Sequence, residues 1–243
     1  MNRLSPASER LTVMERVILA CTGSSAHSRP AARWAAQEAS LRGLPLDVVL
    51  DPPSDPSDAK VTVRGVPRDP AATGGRPGSG TAMAVAAAGR ALVLVPDELA
   101  STYRSSGRVL LGVDARGPCD GAIGFAFDSA RLRETGLHVV HAWSLPSCAA
   151  QWPFGVPEAE RATWEDHEVQ LLADALRPWR RKYPEVPVLE DVLLLPPAQA
   201  LLHHCGRAAL VVVSRGPGED CGEIVRSLLQ AAACPVAVVG AGG

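Results

Sequence analysis

Trp34-Ala-Ala-Gln-Glu-Ala-Ser-Leu-Arg42, followed by Leu46-Asp-Val-Val49, is laid out again as Phe125-Ala-Phe-Asp-Ser-Ala-Arg-Leu-Arg133, followed by Leu137-His-Val-Val140, at a shift of about 91 residues. In each copy a helix-forming run leads into a short apolar run of strand length. Upstream, Arg16-Val-Ile-Leu parallels Arg108-Val-Leu-Leu. Downstream, residues 86–95 parallel 230–239, but there the shift has grown to about 144. The chain therefore reads as two copies of one unit, the first lacking roughly fifty residues from its middle. What stands in their place, residues 51–80, is rich in Pro, Gly, Asp and Ser and reads as a long loop around one candidate short strand, 60–66.

Apolar runs of strand length recur at 17–21, 46–50, 92–95, 109–113, 137–140, 186–195, 210–213 and 236–239. Several are nearly continuous rather than alternating, as parallel strands covered on both faces require. Helical stretches separate them at 29–42, 121–134, 157–182, 198–205 and 222–232. Alternation of strand and helix implies right-handed crossovers, so the expected class is α/β, a doubly wound, mainly parallel sheet of five strands in the second copy with a shortened related first copy. The expected organisation is a tail at 1–15, a truncated copy at 16–96, a Ser-rich linker at 97–107 and a full copy at 108–240.

At 243 residues the chain is long enough for two modest domains, and 47% hydrophobic with 21% charged residues is a globular composition. A net charge of −2 supplies no general attraction for nucleic acid or anionic lipid, so neither partner is expected. Residues 1–16 hold Arg3, Glu9, Arg10 and Glu15 and no long apolar core, which predicts a cytoplasmic product. Cys21, Cys119, Cys148, Cys205, Cys221 and Cys234 show no C-x-x-C spacing and read as reduced structural residues.

The second copy resembles a universal stress protein domain along its length. The likeness is carried by Leu111-Gly-Val-Asp114, Ala126-Phe-Asp-Ser-Ala-Arg-Leu-Arg-Glu134, Leu137-His-Val-Val-His-Ala-Trp143 and Cys234-Pro-Val-Ala-Val-Val239, in that order. The first copy resembles the same family at 17–50 and 78–95. The resemblance implies an adenine nucleotide alpha hydrolase-like fold. It also implies a division into members that bind ATP and members that do not. In the binders an Asp closing the first strand meets the adenine-bearing end, and a G-x-x-G-x9-G-(S/T) loop after the fourth strand holds the phosphates. Glycines let backbone N–H groups approach phosphate oxygens, and the next helix adds its N-terminal dipole.

Against that pattern the second copy keeps Asp114 but reads Ser214-Arg-Gly-Pro-Gly-Glu-Asp-Cys-Gly222-Glu223. The first glycine position is Ser214, the spacer is about five residues short, and Glu223 replaces the hydroxyl. Glu219, Asp220 and Glu223 would repel a triphosphate, with Arg215 compensating in part. Gly216, Gly218 and Gly222 still lie between a strand and a helix, a context for anion binding. The first copy shows the complementary loss: Ala20-Cys-Thr-Gly-Ser24 puts Thr22 where the family carries Asp, while Gly78 and Ser79 keep the Gly-Ser pair ahead of a helical stretch. Ser79 reads equally as a helix N-cap. The expectation is a non-enzymatic stress-response or regulatory module with a degenerate nucleotide site and no cofactor; the alternative is an ATP binder with slow or no hydrolysis.

Other constellations are weaker. His203, His204 and Cys205 share a helix, where neighbours diverge by about a hundred degrees, so no metal site is expected from them. His141 beside Asp114 has the makings of a base with an acidic orienter, but no nucleophile-elbow pattern completes a triad. Neither a G-x-x-x-x-G-K-(S/T) loop nor a strand-linked G-x-G-x-x-G occurs. The helix at 157–182, with Glu158, Glu160, Arg161, Glu165 and Asp166, reads as a solvated amphipathic layer rather than an aromatic cage, although Trp143, Trp152, Trp164 and Trp179 flank or enter it. The last strand of each copy, 91–95 and 236–239, is an apolar edge that needs covering. Protein partners or self-association through these terminal strands are therefore expected, with antiparallel pairing inside one chain favoured by the short linker.

Overall fold

Near-continuous apolar runs become strands that are buried on both faces. The computed structural model describes residues 17–21, 28–49, 59–66, 91–96, 105–151, 155–215, 222–232 and 234–240. Among them the first copy supplies β1 (Val17–Cys21), α1 (Ser28–Arg42), β2 (Leu46–Val49), β3 (Ala59–Val66) and β4 (Ala91–Pro96). The second supplies β5 (Arg108–Val113), α2 (Asp120–Leu132), β6 (Leu137–Ala142), α3 (Glu158–Lys182), β7 (Val188–Leu193), α4 (Pro197–His204), β8 (Ala208–Ser214), α5 (Glu223–Ala231) and β9 (Val236–Val239).

The described strands form one sheet in the order β2-β1-β3-β4-β9-β8-β5-β6-β7. Every pairing is parallel except β4 with β9, so the second copy is a five-stranded parallel sheet with β5 at its centre. Alternate strand residues feed two cores. One holds Val109, Leu111, Leu210 and Val212 under α1, α2 and α3; the other holds Leu110, Val211, Val236 and Val238 under α4 and α5.

The registers settle how the copies correspond. Ile18 pairs with Val61 as Val109 pairs with Leu210, and both strand pairs slip by one residue at the same place, before Ile18 and before Val109. Ile18 is thus the counterpart of Val109, and Val17 that of Arg108. The sequence alignment of Arg16 with Arg108 is therefore one residue out, and a one-residue slip moves every side chain of a strand to the opposite face. The candidate short strand at 60–66 is β3, the counterpart of β8 and a fully paired interior strand. From Ile18/Val109 to Val61/Leu210 the shift grows from 91 to 149, so 58 residues are missing between β1 and β3. The second copy places α3, β7 and α4 there.

Thr62 pairs with Leu92 as Val211 pairs with Val236, which makes Leu92 the counterpart of Val236. Across the β4–β9 junction Leu92 meets Val238, Leu94 meets Val236, and Val93 meets its own counterpart, Ala237. An interface in which residue i meets j and j meets i has a two-fold axis, and here it passes between Val93 and Ala237. Both strands are wholly buried.

The same axis relates α1 to α2. Arg42 stacks 5.1 Å from the centroid of Phe125, and its counterpart Arg133 stacks 5.7 Å from the centroid of Trp34, the counterpart of Phe125. Arg42 also donates to Glu38 (2.5 Å), Asp128 (2.7 Å) and Ser129 Oγ (3.1 Å), while Arg133 pairs with Glu38. The side chains of Glu38, Arg42 and Arg133 are 0%, 2% and 5% exposed, so the carboxylate between them carries the charge balance of a closed, nearly dry junction. The turn after each helix is repeated too: Gly43 has φ 60° and Glu134 has φ 50°. Leu44 N–H reaches Ala39 O at 3.0 Å, as Thr135 N–H reaches Ala130 O at 3.0 Å. Glycine adopts that left-handed backbone freely; Glu134 does so against its side chain.

Candidate functional site

In the second copy the chain leaves β5 for β6 and β7, then returns to the other side of β5 with β8 and β9. The strand order reverses between β5 and β8, and outside the carboxyl ends of strands at such a point lies the crevice where open α/β sheets take ligands. A cavity of about 740 Å³ sits there. Its walls include Val140 in β6 and Trp143 just after it, Leu195 and Pro196 before α4, and Ser214 at the end of β8. Gly112 lies at its base, and a Cβ there would stand 2.8 Å from Leu201 Cδ1, so the helix packs on bare backbone. Trp143 is 4% exposed and its Nε1 has no hydrogen-bond partner among the described residues, leaving a donor at the crevice wall.

Asp114 lines this cavity, exposed, and its Oδ1 accepts from Arg116 N–H at 3.0 Å. The turn that carries it is braced from below. His141 Nδ1 lies 3.3 Å from Ala115 N and 3.2 Å from Val113 O, and Nε2 lies 3.0 Å from Glu168 Oε2. In the neutral tautomer assigned from this network, Ala115 N–H donates to Nδ1 and Nε2–H donates to Glu168. Arg116 donates to the other oxygen of Glu168. The acid that orients His141 is therefore Glu168 on α3, not Asp114. With His141 1% and Glu168 2% exposed, the pair is a buried brace rather than an open acid–base dyad.

Glu168 went unread in the sequence, but a signal was there: Glu168, Leu172, Leu176 and Trp179 follow one another at helical spacing on the face that turns inward. Glu158, Glu160 and Arg161 on the same helix are exposed. Trp179 stacks with Phe127 at 6.3 Å and Tyr183 at 6.4 Å.

Of the remaining predicted positions, Gly222 is the N-cap of α5, with Glu223 in the first turn. Gly216, Gly218, Gly78 and Ser79 lie outside the described residues, as do Thr22 and Trp152. Gly78 is the counterpart of Gly222, and the shift falls from 149 at β3/β8 to 144 at β4/β9. The second copy thus has five fewer residues in the connection that carries its glycines. Cys205 Sγ donates to Leu202 O at 3.3 Å and is buried, while its neighbour His204 turns toward His138 and Asp191.

A duplicated, doubly wound parallel sheet with a crevice at its switch point defines an α/β protein of the adenine nucleotide alpha hydrolase-like class. The universal stress protein family model matches residues 106–240, more than half of the chain, and the chain belongs to that family. It is 36% identical over 135 residues to universal stress protein Rv2623 of Mycobacterium tuberculosis, covering 54% of this chain and 44% of the relative. It is 34% identical over 165 residues to a universal stress protein of Mycolicibacterium smegmatis, covering 63% and 52%. The chain spans about half the length of the curated relatives it matches. A universal stress protein from Archaeoglobus fulgidus superposes with a TM-score of 0.58 at 13% identity, over 94% of this chain and 99% of that one, which is a likeness of fold. No helix among the described residues is long and apolar enough to cross a membrane.

Proposed function

We propose that the chain is a non-enzymatic stress-response or regulatory module whose second copy keeps the base-side wall of a nucleotide crevice and has lost the phosphate side. The observation that carries this is the mismatch within one site. The crevice at the switch point is roomy and retains Asp114 and the close-packed Gly112. Yet the stretch from β8 to β9 is five residues shorter than its internal counterpart from β3 to β4 and carries Glu219 and Asp220, with Glu223 already occupying the first turn of the helix whose N-terminus would face a phosphate. Absence of turnover is supported by His141, whose ring nitrogens are engaged by Ala115 and Glu168 beneath the site. Such a module acts through protein contacts. Self-association by its terminal strands would require opening the β4–β9 pair, so a monomer by light scattering is expected.

Calorimetric titration with adenosine, AMP and Mg-ATP tests the reading. Affinity should fail to rise, or should fall, as phosphates are added, and no ADP should accumulate. Micromolar or tighter Mg-ATP binding that exceeds adenosine binding overturns it in favour of an ATP-binding member, and release of ADP overturns the absence of turnover.

A further inference from the structure

At the opposite end of the sheet from the crevice, three side chains with metal-binding atoms converge from three elements. His138 is the second residue of β6, Asp191 stands on the edge strand β7, and His204 closes α4. His138 pairs with Leu189 and Val140 with Asp191, so Asp191 is the diagonal neighbour of His138 on one face of the sheet. His138 Nε2 lies 2.7 Å from Asp191 Oδ2, and His204 Nε2 lies 3.6 Å from the same oxygen. One ligand atom from each residue falls within 4.8 Å of the other two.

We propose that His138, Asp191 and His204 form a binding site for a divalent transition-metal ion of the zinc type, with one coordination position open to solvent. Metal–ligand bonds of about 2.0–2.1 Å at tetrahedral angles put ligand atoms about 3.3 Å apart, and the two observed edges bracket that figure. Two imidazoles and one carboxylate are the donor set that zinc and its neighbours in the first row accept.

Two further observations separate this from a plain edge-strand hydrogen bond. His204 Nε2 is buried without a hydrogen-bond partner among the described residues, and 3.6 Å to a carboxylate is too long for a hydrogen bond but suits two ligands of one cation. A cavity of about 840 Å³ is lined by both histidines together with Ser106, Arg108, Arg207 and Ala208, which supplies an entry path and room for a water at the fourth position. The equivalent of His138 in the first copy is Asp47, and that copy has no counterpart of β7 or α4 among its described residues, so the site belongs to the second copy alone. Its distance from the switch point makes it independent of the nucleotide reading.

The test is zinc binding to the full, metal-stripped chain, followed by calorimetry, by competition with a chromophoric chelator, and by the visible absorption of bound Co2+. One ion per chain is expected, with the Co2+ bands of a four-coordinate N/O site. Loss of mere outer-shell partners costs about 10–100-fold in affinity, so His204→Ala and Asp191→Asn should each weaken zinc at least about 100-fold. Circular dichroism without metal confirms that each variant is folded, the near-isosteric Asp191→Asn being the safeguard if His204→Ala is not. His203→Ala should bind as the parent does. No stoichiometric zinc in the parent, binding unchanged in both ligand variants, or equal loss in His203→Ala would overturn the assignment.

Discussion

Glu38→Gln removes the one carboxylate that stands between two buried guanidiniums at the junction of the copies. Arg42 would keep Asp128 and the ring of Phe125, but among the described residues Arg133 would keep only the Ser129 carbonyl at 3.3 Å and the face of Trp34. Removing one partner of a buried ion pair costs about 3–5 kcal/mol, because the remaining charge is stranded away from water. Set against a total stability of about 5–15 kcal/mol, that is a large fraction. At about 2–4 °C per kcal/mol for a chain of this size, the melting temperature should fall by roughly 6–20 °C. Urea unfolding followed by tryptophan fluorescence measures the change directly. Arg131→Ala is the control: its bond to Asp128 is 2.8 Å long, but the arginine is 43% exposed, and such a pair is worth about 0–1 kcal/mol. A loss below about 1 kcal/mol for Glu38→Gln would mean that water reaches the cluster and that the junction is not the closed, two-fold interface described.

Two smaller perturbations read other parts of the fold. Glu134→Gly should stabilise the chain by about 0.5–1 kcal/mol, since the left-handed backbone costs an L-residue about 1–2 kcal/mol and glycine returns part of that in chain entropy. Gly43→Ala, with nothing within 4 Å of the new Cβ, should destabilise through backbone strain alone; a reversed order in thermal melts refutes the equivalence of the two turns. Burial, and after it Cys205, push the Cys234 thiol far above its ordinary value of 9.0. Above that pH the unfolded chain releases a proton that the native chain retains, so stability falls as pH rises, by at most about 1.4 kcal/mol per unit, and Cys234→Ala should flatten this slope. Peptide mapping after iodoacetamide should find exposed Cys148 alkylated and Cys234 spared until denaturant is added.

Most of the fold was legible because its signals are local. Continuous apolar runs such as 208–214 mark strands covered on both faces, and the apolar-faced helices between them force parallel crossovers. Asp114 was read from the resemblance to the family's first-strand motif, and it lines the crevice one residue past the end of β5. The role of β3 was harder to see: 60–66 stands out as a candidate short strand among Pro, Gly and Asp, but its place between β1 and β4 is set by hydrogen bonds that no local pattern encodes. Glu168 and the His138–Asp191–His204 group were illegible for a related reason. They join residues 13 to 66 positions apart, and no periodicity encodes which side chains meet across two strands and a helix.

The sequence by itself determined the class, the duplication, the missing middle of the first copy and the short, acidic connection after β8. All of these follow from hydrophobic period, spacing and charge along the chain. Only the tertiary structure decided the one-residue register that makes Ile18 the counterpart of Val109, and the two-fold contact through Val93 and Ala237. It alone gave His141 to Glu168 and His204 to His138 and Asp191. Register is set by which face of each strand finds the core, and contacts between distant residues are set by packing. Both are properties of the closed sheet and its covering helices, which no stretch of the chain contains alone.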